Sequence, residues 1–193
     1  MYSDKYLIGG SILDNSVQSL LQRLSGLCDN TAKCPEVFQD RESVYRFDGL
    51  QSMSHQSVPF YLRVRRSTQV NQPLQLRYVG PPEQINDKSS PVVTRCVLEV
   101  ATGEGLIPFI TAMGATLDHE ITLKGYLFQK DRMKVSVTKV SVNNENVTDS
   151  HLVEMSIIAP IGGSQIGEEM RAFADQLRPL VNMDKYDPKI QQM

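Results

Sequence analysis

One stretch constrains the fold more than any other: residues Thr116–Val142 read as two long neighbouring strands joined by a tight turn. In its first half apolar and polar residues alternate, which is the pattern of a strand with one buried face. The apolar positions are Leu117, Ile121, Leu123 and Leu127. The polar run Gln129–Arg132 predicts the reversal. Two long strands cannot bury themselves alone, so other strands must pair with them.

The return strand changes its apolar face part-way along. Before the change the apolar residues are Met133, Val135 and Val137, and after it they are Val140 and Val142. This shift in parity predicts a β-bulge near Thr138–Lys139, because one extra residue reverses which side chains share a face. Bulges bend strands, so the pattern favours a strongly curved sheet.

The rest of the chain supplies further strands and three helices. Strand patterns cover Tyr6–Leu13, Ser43–Asp48, Phe60–Arg66, Leu74–Gly80, Val92–Val100 and His151–Pro160. Apolar residues at helical spacing predict helices near Val17–Leu27, Leu106–Met113 and Ile166–Leu177. Asp14 or Asn15 is expected to cap the first helix. Thr31–Arg41 reads as a polar connector.

These seven or eight strands and three helices do not alternate strictly, which argues against a doubly wound parallel sheet. We predict an α+β, mostly β fold: an antiparallel β-barrel with about three peripheral helices. A barrel packed by helices on its outside accounts for strands that are apolar on both faces. At 193 residues, the chain is expected to form a single β-barrel domain over residues 1–193.

Composition and charge exclude several classes of protein. The formal net charge is -2, whereas proteins that track nucleic-acid phosphates need a basic surplus. We therefore expect no direct sequence-specific nucleic-acid binding. No apolar run approaches 18 residues and no secretory signal is visible, so we expect neither membrane insertion nor export. Three cysteines without a C-x-x-C pair fit a reducing compartment.

A basic face is the strongest hint of chemistry. Arg63, Arg65 and Arg77 lie opposite the apolar positions of their strands. Inside a barrel they would form an anion tunnel, which Lys124 or Lys134 could join. On the outside they would face solvent, limit edge pairing or contact an acidic partner, and we favour this interpretation.

The pattern FYLRVRR is similar to that of the tunnel triphosphatases, which hold a divalent metal with glutamates. Those enzymes carry Glu-x-Glu-x-Lys on their first strand, whereas Leu7–Ser11 has neither carboxylate nor lysine. Glu154 is a lone acid on its strand. We therefore predict no catalytic residue, no metal site and no cofactor. The residues alone leave an interaction module and a small-ligand barrel as alternatives.

Short strings along almost the whole chain resemble the Mediator subunit 18 family. They include GSILD with LLQRLSGLCDN at 10–30, FYLRVRRS at 60–67, LRYVG at 76–80, KGYLF at 124–128, HLVEMSIIAP at 151–160 and MRAFADQLRPLV at 170–181. Each string is weak alone, but their order together is specific. The resemblance implies a barrel related to the tunnel triphosphatases without their catalysis.

The same resemblance implies a non-catalytic scaffold subunit in the head module of the Mediator coactivator, in the nucleus. It implies a heterodimer with subunit 20, a tether to the C-terminal helix of subunit 8, and contact with RNA polymerase II machinery through the head module. Two segments have apolar residues to spare for a partner groove. The candidate contact residues are Leu106, Phe109, Ile110, Ile157 and Ile161.

Overall fold

The computed structural model describes residues 3–29, 35–48, 59–69, 72–82, 92–160 and 165–185. The strands are β1 (Ser3–Leu13), β2 (Glu36–Phe47), β3 (Phe60–Ser67), β4 (Leu74–Pro82), β5 (Val93–Thr102), β6 (Thr116–Lys130), β7 (Met133–Val142), β8 (Glu145–Asn146) and β9 (Ser150–Ala159). The helices are α1 (Val17–Leu27), α2 (Leu106–Ala112) and α3 (Ile166–Asp175). Within these described ranges, no helix is both long enough and apolar enough to cross a membrane.

Eight strands close into one antiparallel barrel. Their order is β6–β2–β3–β4–β5–β1–β9–β7, and β6 pairs again with β7 to complete the ring. The two-residue strand β8 pairs only with the end of β7. Closure leaves the eight strands without an open edge, which removes a site for unwanted pairing. The predicted barrel with peripheral helices is confirmed.

The main hydrophobic core lies outside the barrel, between its wall and two helices. Helices α1 and α3 cover the outward faces of β1, β7 and β9. Fully buried members include Ile8, Leu20, Leu24, Val135, Met155, Ile157, Met170 and Leu177. A second, smaller cluster lies under α2, where Ile110 packs with Tyr45, Val64 and Leu74 of β2, β3 and β4. The apolar faces of these strands therefore point outward to the helices.

The predicted bulge in β7 is wrong. The β6–β7 register runs without a shift from Thr122 paired with Ser141 to Lys130 paired with Met133. Val135 and Val137 lie on the outer face of β7 and pack under the helices. Val140 lies on the inner face, opposite Leu123 of the lumen wall. A register irregularity occurs instead between Val44 and Tyr45 of β2, opposite β6.

Two other local predictions also need correction. Asp14 lies in a 3₁₀ turn before α1 and makes no capping hydrogen bond. Its carboxylate instead accepts hydrogen bonds from Lys139 and pairs with His151 Nδ1 at 2.9 Å. The supposed connector Thr31–Arg41 contains the first half of β2, which begins at Glu36. The first half of β2 is rich in charged residues, and for this reason the sequence pattern predicted a loop.

The C-terminal segment after α3 is fixed to β1 at a pair of glycines. Strand β5 pairs with β1 only as far as Leu7, and Asp184 takes the next free backbone position. Gly9 N–H donates to Asp184 O at 3.0 Å, and Asp184 N–H donates to Gly9 O at 2.9 Å. A Cβ at Gly10 would lie 2.6 Å from the carbonyl oxygen of Asn182. Gly10 therefore permits the close approach of the segment.

Gly10→Ala is expected to lower the free energy of unfolding by about 1–3 kcal/mol, because the methyl group must displace a backbone carbonyl. Gly26→Ala is the matched control, since an added Cβ there meets nothing within 4 Å. In the interior of α1 it should raise stability by about 0.5–1 kcal/mol. Urea denaturation followed by circular dichroism measures both. A Gly10→Ala variant at least as stable as wild type would show that the C-terminal segment moves aside at no cost.

Candidate functional site

Inward-pointing side chains line a cavity of about 390 Å³ in the barrel lumen. The lining is dominated by charged and polar groups from almost every strand. Its charged members are Lys5 of β1, Glu36, Asp40 and Glu42 of β2, Arg63 and Arg65 of β3, Arg77 of β4, Arg95 and Glu99 of β5, Lys134 of β7 and Glu154 of β9. This lumen is the candidate functional site.

The three arginines of the predicted basic face line this lumen. Arg63, Arg65 and Arg77 all point inward, so the solvent-facing interpretation that we favoured from sequence is wrong. The physical reason is that the outer faces of β3 and β4 are apolar and packed under α2. Lys134 joins the arginines in the lumen, whereas Lys124 is exposed and does not line it.

The arginines converge on one buried acid, Glu42, whose side chain is 2% exposed. Arg63 Nη1 donates to Glu42 Oε1 at 2.7 Å. Arg77 Nη1 and Arg65 Nη2 donate to the other oxygen, Oε2, at 3.2 and 3.3 Å. Strand pairing sets up this geometry, because Glu42 lies opposite Arg65 and Arg63 lies opposite Arg77 in the register.

Further ion pairs extend this cluster around the lumen wall. Arg77 Nε donates to Glu99 Oε1 at 2.7 Å, and Arg65 Nε lies 3.8 Å from Asp40 Oδ2. On the other side, Lys5 Nζ donates to Glu154 Oε1 at 3.0 Å. We call these eight side chains the lumen ion network: Lys5, Asp40, Glu42, Arg63, Arg65, Arg77, Glu99 and Glu154. They span six adjacent strands, from β2 through β3, β4, β5 and β1 to β9.

The charge state of Glu42 reflects two opposing effects. Burial raises the pKa of this carboxyl, because a low-dielectric interior disfavours the ionised form. Attraction to Arg77, Arg63 and Arg65, together with the Arg63 hydrogen bond, outweighs burial and lowers the pKa from 4.5 to about 2. Glu42 is therefore ionised at neutral pH, and its charge is matched inside the protein.

The network leaves little chemistry available. Asp40, Glu42 and Glu99 already face guanidinium groups, so their oxygens do not converge as the several ligands that a divalent cation needs. In the parts of the chain that the structure describes, no group of three or more histidine, cysteine or acidic side chains could hold a metal ion. The geometry fits a structural ion network better than a metal-dependent centre.

Four members of this network were not identified from the sequence: Lys5, Asp40, Glu42 and Glu99. Asp40 lies in the part of β2 that was read as a connector, and Glu42 lies just before the predicted strand Ser43–Asp48. Lys5 precedes the segment taken as the first strand. A signal was present in β2, because Glu36, Phe38, Asp40 and Glu42 recur with period two and all face the lumen. The segment Leu7–Ser11, which was compared with the Glu-x-Glu-x-Lys motif, has no lysine. Strand β1 nevertheless points one lysine, Lys5, into the lumen.

The candidate partner-contact residues do not form one surface. Ile110 and Ile157 are buried in the two cores, at 2% and 0% exposure, and Leu106 is half-buried against the cluster under α2. Phe109 is 62% exposed. Ile161 lies outside the described residues. Burial thus assigns two of the five to the interior and leaves Phe109 as the accessible one.

Glu42→Gln is expected to lower the free energy of unfolding by about 3–5 kcal/mol at neutral pH, because three partly or largely buried guanidinium groups lose their shared counter-charge. The folded-state pKa lies below the unfolded value, so the charge contribution is complete above pH 4.5 and is lost as pH falls toward 2. The stability difference between wild type and variant should therefore shrink over that window. Urea denaturation at a series of pH values measures it.

Glu104→Gln is the control for this prediction. Glu104 accepts two hydrogen bonds from Arg66 at 2.8 and 2.7 Å, but its side chain is 75% exposed. Exposed pairs contribute little because water already solvates both charges. The control should therefore unfold like wild type. If Glu42→Gln does so as well, the lumen ion network does not stabilise the barrel as argued.

Comparisons with known proteins agree with this architecture. The model of the Med18 protein family matches residues 4–191. Mediator of RNA polymerase II transcription subunit 18 from Danio rerio is 45% identical over 194 residues, covering 96% of this chain and 89% of the relative. Its Drosophila melanogaster counterpart is 41% identical over 194 residues, covering 96% and 87%.

Solved structures share the fold at low identity. A chain in the structure of the Schizosaccharomyces pombe Mediator head module matches with a TM-score of 0.74 and 11% identity, covering 95% of this chain and 98% of that one. A putative adenylate cyclase from Vibrio parahaemolyticus matches with a TM-score of 0.61 and 12% identity, covering 97% and 98%. These structural matches show the barrel fold alone. The family match, with relatives of 45% and 41% identity over most of their length, shows that the chain belongs to the Med18 protein family.

Proposed function

We propose that this chain is a non-catalytic scaffold subunit of the Mediator coactivator, acting in the nucleus through protein–protein contacts. The observation that carries the proposal is membership of the Med18 family over residues 4–191. Its relatives are named as subunit 18 of the Mediator of RNA polymerase II transcription. In this role the chain links regulators to RNA polymerase II through the head module.

The lumen supports the non-catalytic part of the proposal. An enzyme that transfers phosphoryl groups must leave its cations free for the substrate and its carboxylates free for a metal. Here Glu42 occupies the three arginines, and Glu154 is paired with Lys5. The charged groups of the lumen ion network are therefore already paired with one another. The two alternatives, a triphosphate-tunnel phosphohydrolase and a small-ligand barrel, both need a lumen with unpaired groups to offer.

The proposed partners are Mediator subunit 20, in a heterodimer, and the C-terminal helix of subunit 8. An amphipathic helix binds through apolar anchors, so it needs exposed apolar side chains in a row. Phe109 and Met113 lie four residues apart at the end of α2 and are 62% and 61% exposed, and Leu117 at the start of β6 is 52% exposed. We name these three residues the α2 strip and propose it as the surface that receives the subunit 8 helix.

Purified protein should show no hydrolysis of nucleoside triphosphates with magnesium or manganese, because the described residues of the lumen form no metal site and Arg63, Arg65 and Arg77 are already paired. Phosphate release measured with a chromogenic assay tests this. Turnover that disappears in Arg63→Ala or Glu154→Ala would place an active centre in the lumen and support the phosphohydrolase. A small molecule retained in native mass spectrometry would instead support the ligand barrel.

Co-expression with subunit 20 should give a stable heterodimer by size-exclusion chromatography with light scattering. Separate monomers at micromolar concentration would contradict the scaffold proposal.

For the α2 strip, Phe109→Ser combined with Met113→Ser should weaken binding of a subunit 8 C-terminal peptide by about thirtyfold, as expected for loss of a hot spot. Fluorescence anisotropy measures the affinity. Val147→Ser is the control, because Val147 is also exposed, at 56%, but lies in the turn region beside β8. If both variants bind equally well, the peptide docks elsewhere.

A further inference from the structure

The cluster at the centre of the lumen has an unusual stoichiometry, because one carboxylate serves three guanidinium groups. Both oxygens of Glu42 are used: Oε1 accepts from Arg63, and Oε2 accepts from Arg65 and Arg77. A simple ion pair needs one cation per acid. Several guanidinium groups aimed at one point are typical of sites that recognise an oxyanion, since each presents a planar fork of N–H donors.

The surroundings of the cluster also fit a ligand site. The Arg63 and Arg77 side chains are only 11% exposed, so their attraction for an anion is weakly screened by solvent. The cluster opens onto the lumen cavity of about 390 Å³, which falls in the size range of small-molecule pockets. The Glu42 side chain of β2 fills the position where the attraction for an anion is strongest.

We propose that Arg63, Arg65 and Arg77 form a binding site for a tetrahedral oxyanion, such as phosphate or sulfate, that the chain occupies with its own Glu42 carboxylate. Glu42 is covalently tethered, so a free anion must displace a group whose effective concentration is very high. The wild-type lumen is therefore closed to oxyanions by an internal occupant. The occupied oxyanion site is independent of assembly with partner subunits. A negative result for this site would therefore leave the proposed scaffold function unaffected.

Charge arithmetic explains why Glu42 is the controlling group. The three arginines carry three positive charges, and Asp40, Glu42 and Glu99 carry three negative charges, so the cluster is neutral as it stands. Asp40 lies 3.8 Å from Arg65, and Glu99 contacts only Arg77, with a side chain that is 41% exposed. Glu42 alone touches all three guanidinium groups. Its removal leaves one uncompensated positive charge at the point where the donors converge.

The test compares Glu42→Ala with wild type. The alanine removes the charge and vacates the space between the arginines. Thermal unfolding is followed with rising sodium phosphate or sodium sulfate, against sodium chloride at equal ionic strength. Under saturating anion, Glu42→Ala should gain about 5–10 °C over its chloride control, as mass action predicts for a site occupied only in the folded state. Wild type should show only the small general stabilisation that phosphate and sulfate give to folded proteins.

Glu99→Ala is the matched control, because it also removes a carboxylate from Arg77 but leaves Glu42 in place. It should behave like wild type toward oxyanions. Adding Arg63→Gln to Glu42→Ala should abolish the gain, which locates the site at the cluster. Equal responses of Glu42→Ala and wild type would overturn the proposal. A response of Glu99→Ala as large as that of Glu42→Ala would overturn it too, because general lumen charge would then suffice.

Glu42→Ala removes a buried counter-charge, so it could fail to fold at low salt. In that case refolding from urea is compared in sulfate and in chloride at equal ionic strength. A yield that sulfate raises over chloride more for Glu42→Ala than for Glu42→Ala combined with Arg63→Gln supports the site, because the general stabilisation by sulfate is common to both variants. An equal effect of sulfate on the two variants contradicts it.

Discussion

The contact of Glu42 with three arginines is the constraint on which the barrel depends. A buried charge is tolerated only when it is paired, and here the Glu42 carboxylate of β2 pairs with three guanidinium groups from β3 and β4. Each strand must therefore keep its register, because a slip of one residue would turn an arginine or the glutamate into the apolar layer under α2. The lumen ion network specifies the closed barrel as well as filling it.

This interior reverses the usual arrangement of a small barrel. The lumen holds charges, and the hydrophobic effect acts on the outer wall, where α1 and α3 cover β1, β7 and β9. The C-terminal segment completes this outer layer by pairing Asp184 with Gly9. The helices are therefore required for stability, since without them the apolar outer faces of those strands would meet water.

The same arrangement is consistent with a protein that acts through its surface. The members of the lumen ion network are paired with one another, whereas the α2 strip remains exposed beside a helix that is firmly packed through Ile110. A rigid barrel with a saturated lumen suits a scaffold subunit of the Med18 family. An oxyanion site occupied by Glu42 explains how a basic interior can coexist with this role, because the Glu42 carboxylate already binds the three arginines.

Alternation and helical spacing in the sequence were enough to determine the barrel, the three helices and the grouping of Arg63 and Arg65 on one face, because side-chain period depends on local backbone geometry. The resemblance to the family came instead from short strings of residues in a specific order along the chain. Alternation and helical spacing could not determine which face of β3 points inward, because alternation is the same on either side of a sheet. Nor could they identify Glu42 as the partner of those arginines, because that contact depends on pairing between strands distant in the chain. Only closure of the barrel decided both.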